Sequence, residues 1–254
     1  MKLAVAGKGG VGKTTLSVWL GEYLAQQGRD VWLVDADTSL SLGPALGLSE
    51  EETPKPLVQQ EELIRERVGS GGFINLNPKV DDLLHGLAKE VRGMHLLLMG
   101  TVAGAGSGCG CAPNTLLKAA LAHLILWSSQ WVIVDLEAGV EHLGRGTISS
   151  VDGLVVVSEP SLRGLQTASR ISSMASSLGL SRQVLVLNRG EEQAMALPQD
   201  LDLPPLATNI PFLDSLQKQQ QKSSSVLDLP DRDRIHELCS HVLARFEDNR
   251  EQAG

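Results

Sequence analysis

Residues Gly7 to Thr14 read G-K-G-G-V-G-K-T, between an apolar run, Leu3–Ala6, and a helix-periodic segment that opens at Thr14. The pattern G-x-x-x-x-G-K-[ST] in that setting demands a particular local fold. A strand must deliver the loop and a helix must begin where the loop ends. Only then do the backbone N–H groups curl around phosphate oxygens while the positive end of the helix dipole faces them. Gly9, Gly10, Val11, Gly12 and Thr15 form the body of that cradle, Lys13 is expected to reach the β- and γ-phosphates, and the Thr14 hydroxyl to bind Mg²⁺.

The rest of the chain repeats the strand–helix alternation. Leu3–Ala6, Val31–Val34, Leu96–Met99, Trp131–Val134, Leu154–Val157 and Val184–Leu187 are continuous apolar runs, with Phe73–Leu76 a weaker candidate. Unbroken runs, rather than alternating ones, are what strands of a parallel sheet covered on both faces present. The first helix is expected over Thr14–Gln27, with Leu16, Leu20, Tyr23 and Leu24 on one face and Gly28 as its stop. The expected fold is α/β: a doubly wound, mostly parallel sheet flanked by helices. Its 254 residues suit one such domain, and no internal repeat argues for more. Ser49–Glu66, charged and with two prolines, is read as a surface excursion containing a helix, and Gly104–Pro113 as a Gly-rich loop. Gln217–Ser225 (QKQQQKSSS) is expected to be mobile or a solvated helix end, and Asp231–Asp248 a helix packing through Ile235, Leu238, Val242 and Phe246.

A net charge of −8 argues against an electrostatic grip on nucleic acid across the whole surface. No stretch approaches the ~20 apolar residues of a membrane span, and the phosphate motif starts too early for a leader peptide to precede it. A cytoplasmic protein is expected, with neither nucleic acid nor membrane as partner.

Lys8 completes K-G-G-V-G-K-T-T over Lys8 to Thr15. This resembles the deviant Walker A signature of the MinD/ParA/ArsA/nitrogenase-iron-protein class of P-loop ATPases. The resemblance implies an ATP-driven homodimer in which Lys8 meets phosphate across the interface. It also implies that Asp35 sits near the metal and Asp37 polarises the attacking water. The stretch Val134-Asp135-Leu136-Glu137-Ala138-Gly139 resembles the Walker B and switch II region, with Asp135 as the carboxylate behind Mg²⁺ and Gly139 near the γ-phosphate. Glu137 departs from the pattern and takes no assigned role. Asn188 stands where the class reads the adenine edge, though an Asn at a strand end also serves as a simple cap, and Ile210-Pro211-Phe212 resembles the loop flanking the base.

Cys109 and Cys111, one residue apart among glycines, can place both sulfurs on one metal. Two thiolates leave Zn²⁺ or Ni²⁺ short of four ligands. The same pair from a second copy would complete a four-sulfur site on the two-fold axis. Cys239 falls on the apolar stripe of the last helix, where a small core residue is expected; His123 and His142 are read as polar residues rather than ligands.

Taken together, Met1–Thr15, Gly43–Leu48, Asn77–Asp81, the Cys109–Cys111 pair, Gly139–Leu143 and Arg145–Thr147 resemble the CooC-type ATPases, which assist nickel insertion into carbon monoxide dehydrogenase, or their relatives for acetyl-CoA synthase. The resemblance implies a homodimer using ATP and Mg²⁺, with Ni²⁺ (or Zn²⁺) on the cysteine pairs and a nickel enzyme as client. Two other functions remain open at this level: a ParA/MinD-type positioning ATPase and an iron–sulfur cluster carrier.

Overall fold

The computed structural model describes residues 1–69, 75–80, 82–100, 111–126, 130–136, 151–190 and 196–247. Eight strands form one sheet in the order β3-β4-β2-β5-β1-β6-β7-β8. They are β1 (Lys2–Gly7), β2 (Val31–Ala36), β3 (Lys89–Val91), β4 (Met94–Leu98), β5 (Trp131–Leu136), β6 (Gly153–Ser158), β7 (Gln183–Gly190) and β8 (Leu206–Pro211). All pairings are parallel except β3 with β4. The main helices are α1 (Lys13–Gln26), α2 (Leu42–Ala45), α3 (Glu61–Arg67), α4 (Leu84–Leu87), α5 (Cys111–Leu126), α6 (Leu162–Ser177), α7 (Asp214–Gln220) and α8 (Arg232–Glu247).

Why the strand sequences are apolar without alternation is visible in how they divide. Leu3, Val5, Leu33, Ile133, Val155 and Val186 pack on one face with α1 and α8. Ala4, Ala6, Val34, Val132, Val156 and Leu185 pack on the other with α3, α5 and α6. Both faces are dry, so both parities must be hydrophobic. Helix α1 ends where Gly28 takes φ 72 and its N–H reaches the Ala25 carbonyl at 2.9 Å, as the terminal glycine was expected to provide. Cys239 is fully buried on α8, and burial pushes its thiol far above the ordinary range.

Three expectations are corrected or refined. Phe73 and Ile74 lie outside the described residues, while Asn75 and Leu76 are not in a strand. The Asn75 side chain accepts the N–H of Asn77 at 3.1 Å, a local turn that competes with sheet pairing, and Leu76 is 76% exposed. Two strands were not anticipated. β3 is a three-residue charged edge folded onto β4 by Arg92 (φ 51) and Gly93 (φ 77), both with the positive φ that a two-residue hairpin turn favours. β8 mixes polar and apolar residues and pairs only with β7. The segment 217–225 proves to be the exposed end of α7 and the turn beyond it; α7 buries none of its residues.

Because β1, β2, β4, β5, β6 and β7 run parallel, their C-terminal ends lie along one rim. The phosphate loop, residues 35–42, the start of the segment leading to α5, and Ser158–Glu159 all emerge there.

Candidate functional site

The loop between β1 and α1 adopts the geometry that its glycines allow. Gly12, at the N-cap of α1, has φ 99, and a Cβ there would sit 2.3 Å from Asn188 Nδ2, so a side chain would be strained and would have to displace that amide. No side chain caps this helix start; its N–H groups are left for a ligand. Lys8, Gly9 and Gly10 are exposed, whereas Lys13 is buried. The Lys13 ammonium donates to the Lys8 carbonyl at 3.5 Å and stands 4.0 Å from Asp37 Oδ2.

Behind the loop, register places Asp35 directly opposite Asp135, at the ends of β2 and β5. Both are fully buried. Asp135 accepts the Thr14 hydroxyl at 2.6 Å and the Ser17 hydroxyl at 3.4 Å. Asp35 accepts the N–H groups of Leu42 at 2.9 Å and Asp37 at 3.1 Å, which pins the start of α2 and the turn leading to it. Asp37 is held through Oδ1 by the Ser39 N–H and hydroxyl, each at 2.9 Å, leaving Oδ2 facing Lys13. Burial pushes Asp35 up to about 6, against the pull of its two N–H donors. Burial likewise pushes Asp135 up to about 7, helped by the charges of Asp35 and Asp37 and opposed by Thr14 and Lys13. Asp37 and Asp135 act on Lys13 while Asp35 stands opposite Asp135, so the site is poor in positive charge. A hard divalent cation is the group such a set of carboxylate and hydroxyl oxygens suits, so the residues fit Mg²⁺. Among the described residues no group of three or more His, Cys, Asp or Glu side chains is arranged to hold a metal by itself. A Mg²⁺ here would therefore depend on the Thr14 hydroxyl and nucleotide oxygens rather than on a protein cage.

Two adjoining cavities follow the loop. One, of about 530 Å³, is lined by Gly9, Gly10, Lys13, Thr14, Asp37 and Ser39. The second, of about 330 Å³, lies against Asn188, Pro211, Phe212, Leu213 and Leu216. Gly12, Thr15, Arg189 and Gln220 border both, so the two are halves of one cleft. The first half has the polarity of a phosphate site. The second has the apolar walls of a base site, with Phe212 52% exposed at its mouth. Asn188 Nδ2 donates to the Val11 carbonyl at 2.7 Å and Oδ1 accepts from the Arg189 N–H at 3.0 Å. The amide thus braces the phosphate loop from the edge of the base half, with one N–H and one lone pair left over.

The structure therefore brings together Lys13, Thr14, Thr15, Asp35, Asp37, Asp135, Asn188 and Pro211 around one cleft. Cys111 is the first residue of α5, so the loop expected over Gly104–Pro113 is corrected at its end, where Cys111, Ala112 and Pro113 form the first turn of a helix that tolerates Pro there, whereas Cys109, Gly139, Glu137 and His142 lie outside the described residues. Ser17, Ser39, Arg189 and Gln220 were not anticipated. Ser17 carried a usable signal, one helical turn after Thr14, and so did Ser39, two residues after Asp37; Arg189 and Gln220 are brought in by tertiary contacts. None of the helices among the described residues is long and apolar enough to cross a membrane.

Comparison with known proteins agrees with this cleft. The family model for the CobQ/CobB/MinD/ParA nucleotide binding domain matches residues 2–249. The carbon monoxide dehydrogenase accessory protein CooC of Rhodospirillum rubrum is 39% identical over 260 aligned residues, covering 96% of this chain and 97% of its own. An uncharacterized ATP-binding protein of Methanocaldococcus jannaschii is 38% identical over 206 residues, 79% of each chain. Among solved structures, a ParA family ATPase from Chlorobium tepidum superposes with a TM-score of 0.69 at 19% identity, over 95% of this chain and 98% of that one, which speaks to the fold alone. The chain belongs to the CobQ/CobB/MinD/ParA nucleotide-binding family and, within it, is an ATPase of the CooC type.

Proposed function

We propose that this chain is a homodimeric, ATP-driven nickel-loading factor for carbon monoxide dehydrogenase or acetyl-CoA synthase, working in the cytoplasm. The observation that carries the proposal is its identity of 39% along 97% of a protein named as a carbon monoxide dehydrogenase accessory protein. The similarity extends well past the phosphate loop.

In this reading ATP lies along the cleft with its base between Pro211 and Asn188 and its phosphates in the loop. The N–H groups from Gly9 to Thr15 hold phosphate oxygens, and Lys13, pre-placed between the Lys8 carbonyl and Asp37, neutralises charge building on the γ-phosphate. Asp37 Oδ2, free of the Ser39 hydrogen bonds that fix Oδ1, orients the water that attacks the γ-phosphorus. The bond to the ADP oxygen breaks as the water–phosphorus bond forms, releasing ADP and phosphate. Mg²⁺, with Thr14 as its protein ligand and Asp135 holding that hydroxyl, would supply electrostatic neutralisation of the phosphates. Gly139 would meet the γ-phosphate from the segment after β5.

Lys8 is exposed, and its carbonyl, not its ammonium, is what the loop uses internally. That leaves the ammonium for phosphate on a second copy, which closes the dimer only when ATP is present. The nickel ion is cargo. Cys111 stands at the head of α5, and the chain that leads to it leaves the sheet on the nucleotide rim. A dimer closed on that rim would bring two Cys109–Cys111 pairs together as a four-thiolate site. Binding energy for ATP would then change nickel affinity, and nickel would change ATP affinity by the same factor.

The test is activation of a nickel-free carbon monoxide dehydrogenase at limiting Ni²⁺. CO oxidation should rise with this chain plus Mg-ATP, and should not with the Lys13→Ala variant. Activation by Ni²⁺ alone to the same level, at the same rate, overturns the assignment of a client.

A further inference from the structure

One charged residue of the cleft has no role in the account so far. Arg189 follows Asn188 on β7 at an irregularity in its pairing with β8, between Asn188 and Gly190. It is a non-glycine residue at φ 59, a conformation that costs an L-residue roughly 1 kcal/mol or more. Local strain of this kind persists where the surroundings hold a side chain in a required direction. The residue so held borders both the phosphate half and the base half of the cleft. A group bordering both halves stands level with the join between base and phosphates, where the ribose and the α-phosphate lie. Among the described residues, Lys13 and Arg189 are the basic side chains of residues lining the cleft, and Lys13 is expected at the far end of the triphosphate.

The guanidinium also has a carboxylate partner. Nη1 donates to Glu159 Oε1 at 2.7 Å, and both side chains are well exposed, at 52% and 38%. Glu159 comes directly after β6, the strand beside β7, and register sets Ser158 opposite Leu187, so the two residues meet at adjacent strand ends. An exposed ion pair of this kind is weak and exchangeable. A guanidinium leaving a carboxylate for the α-phosphate trades one singly charged, two-oxygen acceptor for another.

We propose that Arg189 is a nucleotide-binding residue that grips the α-phosphate, and that Glu159 is its positioning residue, holding the guanidinium at the neighbouring strand end and competing with nucleotide for it. This rests on the reading of the cleft as an ATP site. It adds a built-in competition: the Glu159 carboxylate and the α-phosphate contend for one cation, so Glu159 sets how tightly nucleotide, and ADP above all, is retained.

The test is calorimetric binding of ADP and of adenosine to the full chain. Arg189→Ala should weaken ADP about 10-fold, the scale of one lost hydrogen bond to a charged group, while leaving adenosine within about two-fold. Glu159→Gln should tighten ADP several-fold, and that gain should shrink to near nothing in the Arg189→Ala background. A role confined to tying β6 to β7 would move thermal stability in both variants but would not tighten ADP. Unchanged ADP affinity in Arg189→Ala, an equal loss for adenosine, or a Glu159→Gln gain that survives without Arg189 each overturns the proposal. A wild-type chain that binds no ADP at all overturns the ATP-site reading beneath it; wild-type binding with indifferent variants overturns this proposal and leaves that reading standing.

Discussion

The contact between the phosphate loop and β7 can be measured by a double-mutant cycle on Gly12 and Asn188. Gly12→Ala places a Cβ at φ 99 and 2.3 Å from Asn188 Nδ2. The left-handed conformation alone costs an alanine about 1–2 kcal/mol. The displaced amide also gives up its 2.7 Å bond to the Val11 carbonyl, worth about 1 kcal/mol, for a total of roughly 2–3 kcal/mol. Asn188→Ala alone forfeits the same bond, about 1 kcal/mol. In the double variant the clash is gone and the bond is lost only once, so the total stays at roughly 2–3 kcal/mol and the coupling is about −1 kcal/mol. For a chain of this size 1 kcal/mol moves Tm by roughly 2–4 °C. Gly12→Ala should therefore melt about 5–10 °C lower than wild type, Asn188→Ala about 2–4 °C lower, and the double variant no lower than Gly12→Ala. Calorimetry in the absence of nucleotide reads this directly. A double variant whose loss equals the sum of the two singles would refute the claim that Asn188 and Gly12 compete for one space.

Other outcomes follow from the same geometry. Asp35 and Asp135, pushed up to about 6 and about 7 from 3.8, keep protons in the fold that the unfolded chain has already lost. The stability they contribute is complete below about pH 4 and is lost as pH rises through about 6 to 7, so nucleotide-free protein should melt higher at about pH 5 than at about pH 8. Asp135→Asn should flatten that slope, and an unchanged slope in the variant would contradict the assignment to this pair. Removing Mg²⁺ with a chelator should abolish ATP hydrolysis, and residual turnover above about 1% in a phosphate-release assay would show that the three carboxylates do not require a cation. Gly153→Ala drives a Cβ to 2.3 Å from the ring of the buried Phe246. Overpacking of this kind costs about 1–3 kcal/mol, so denaturant midpoints should fall accordingly; a neutral result would mean that α8 shifts freely on the sheet.

The parallel core was legible in the sequence because burial on both faces leaves no room for polar residues at either parity. Six of the eight strands announced themselves that way. β3 could not, since Lys89 and Glu90 are what an exposed edge carries, and only the Arg92-Gly93 pair hinted at its hairpin. β8 gave no periodic signal because its residues divide between partial exposure and contact with β7. Phe73–Leu76 looked like a strand by composition, yet the Asn75 side chain turns the backbone locally. In the site, the phosphate loop was legible from the spacing of its glycines, Lys13 and Thr14, and the acidic strand ends through the resemblance to the class. That Asp35 lies opposite Asp135, that Ser17 shares its carboxylate, and that Arg189 meets Glu159 depend on strand register across 100, 118 and 30 residues of sequence separation. Nothing local encodes those pairings.

The central claim is that ATP closes two copies of this chain around a shared nickel ion. It is tested most directly by measuring nickel content and particle mass on the same anaerobic sample, by elemental analysis with light scattering, with and without ATP. The account predicts a dimer with about one nickel per two chains, and a Cys109→Ser variant that still dimerises with ATP but binds no nickel. A monomer under every nucleotide condition, or tight nickel binding that survives Cys109→Ser, would contradict it.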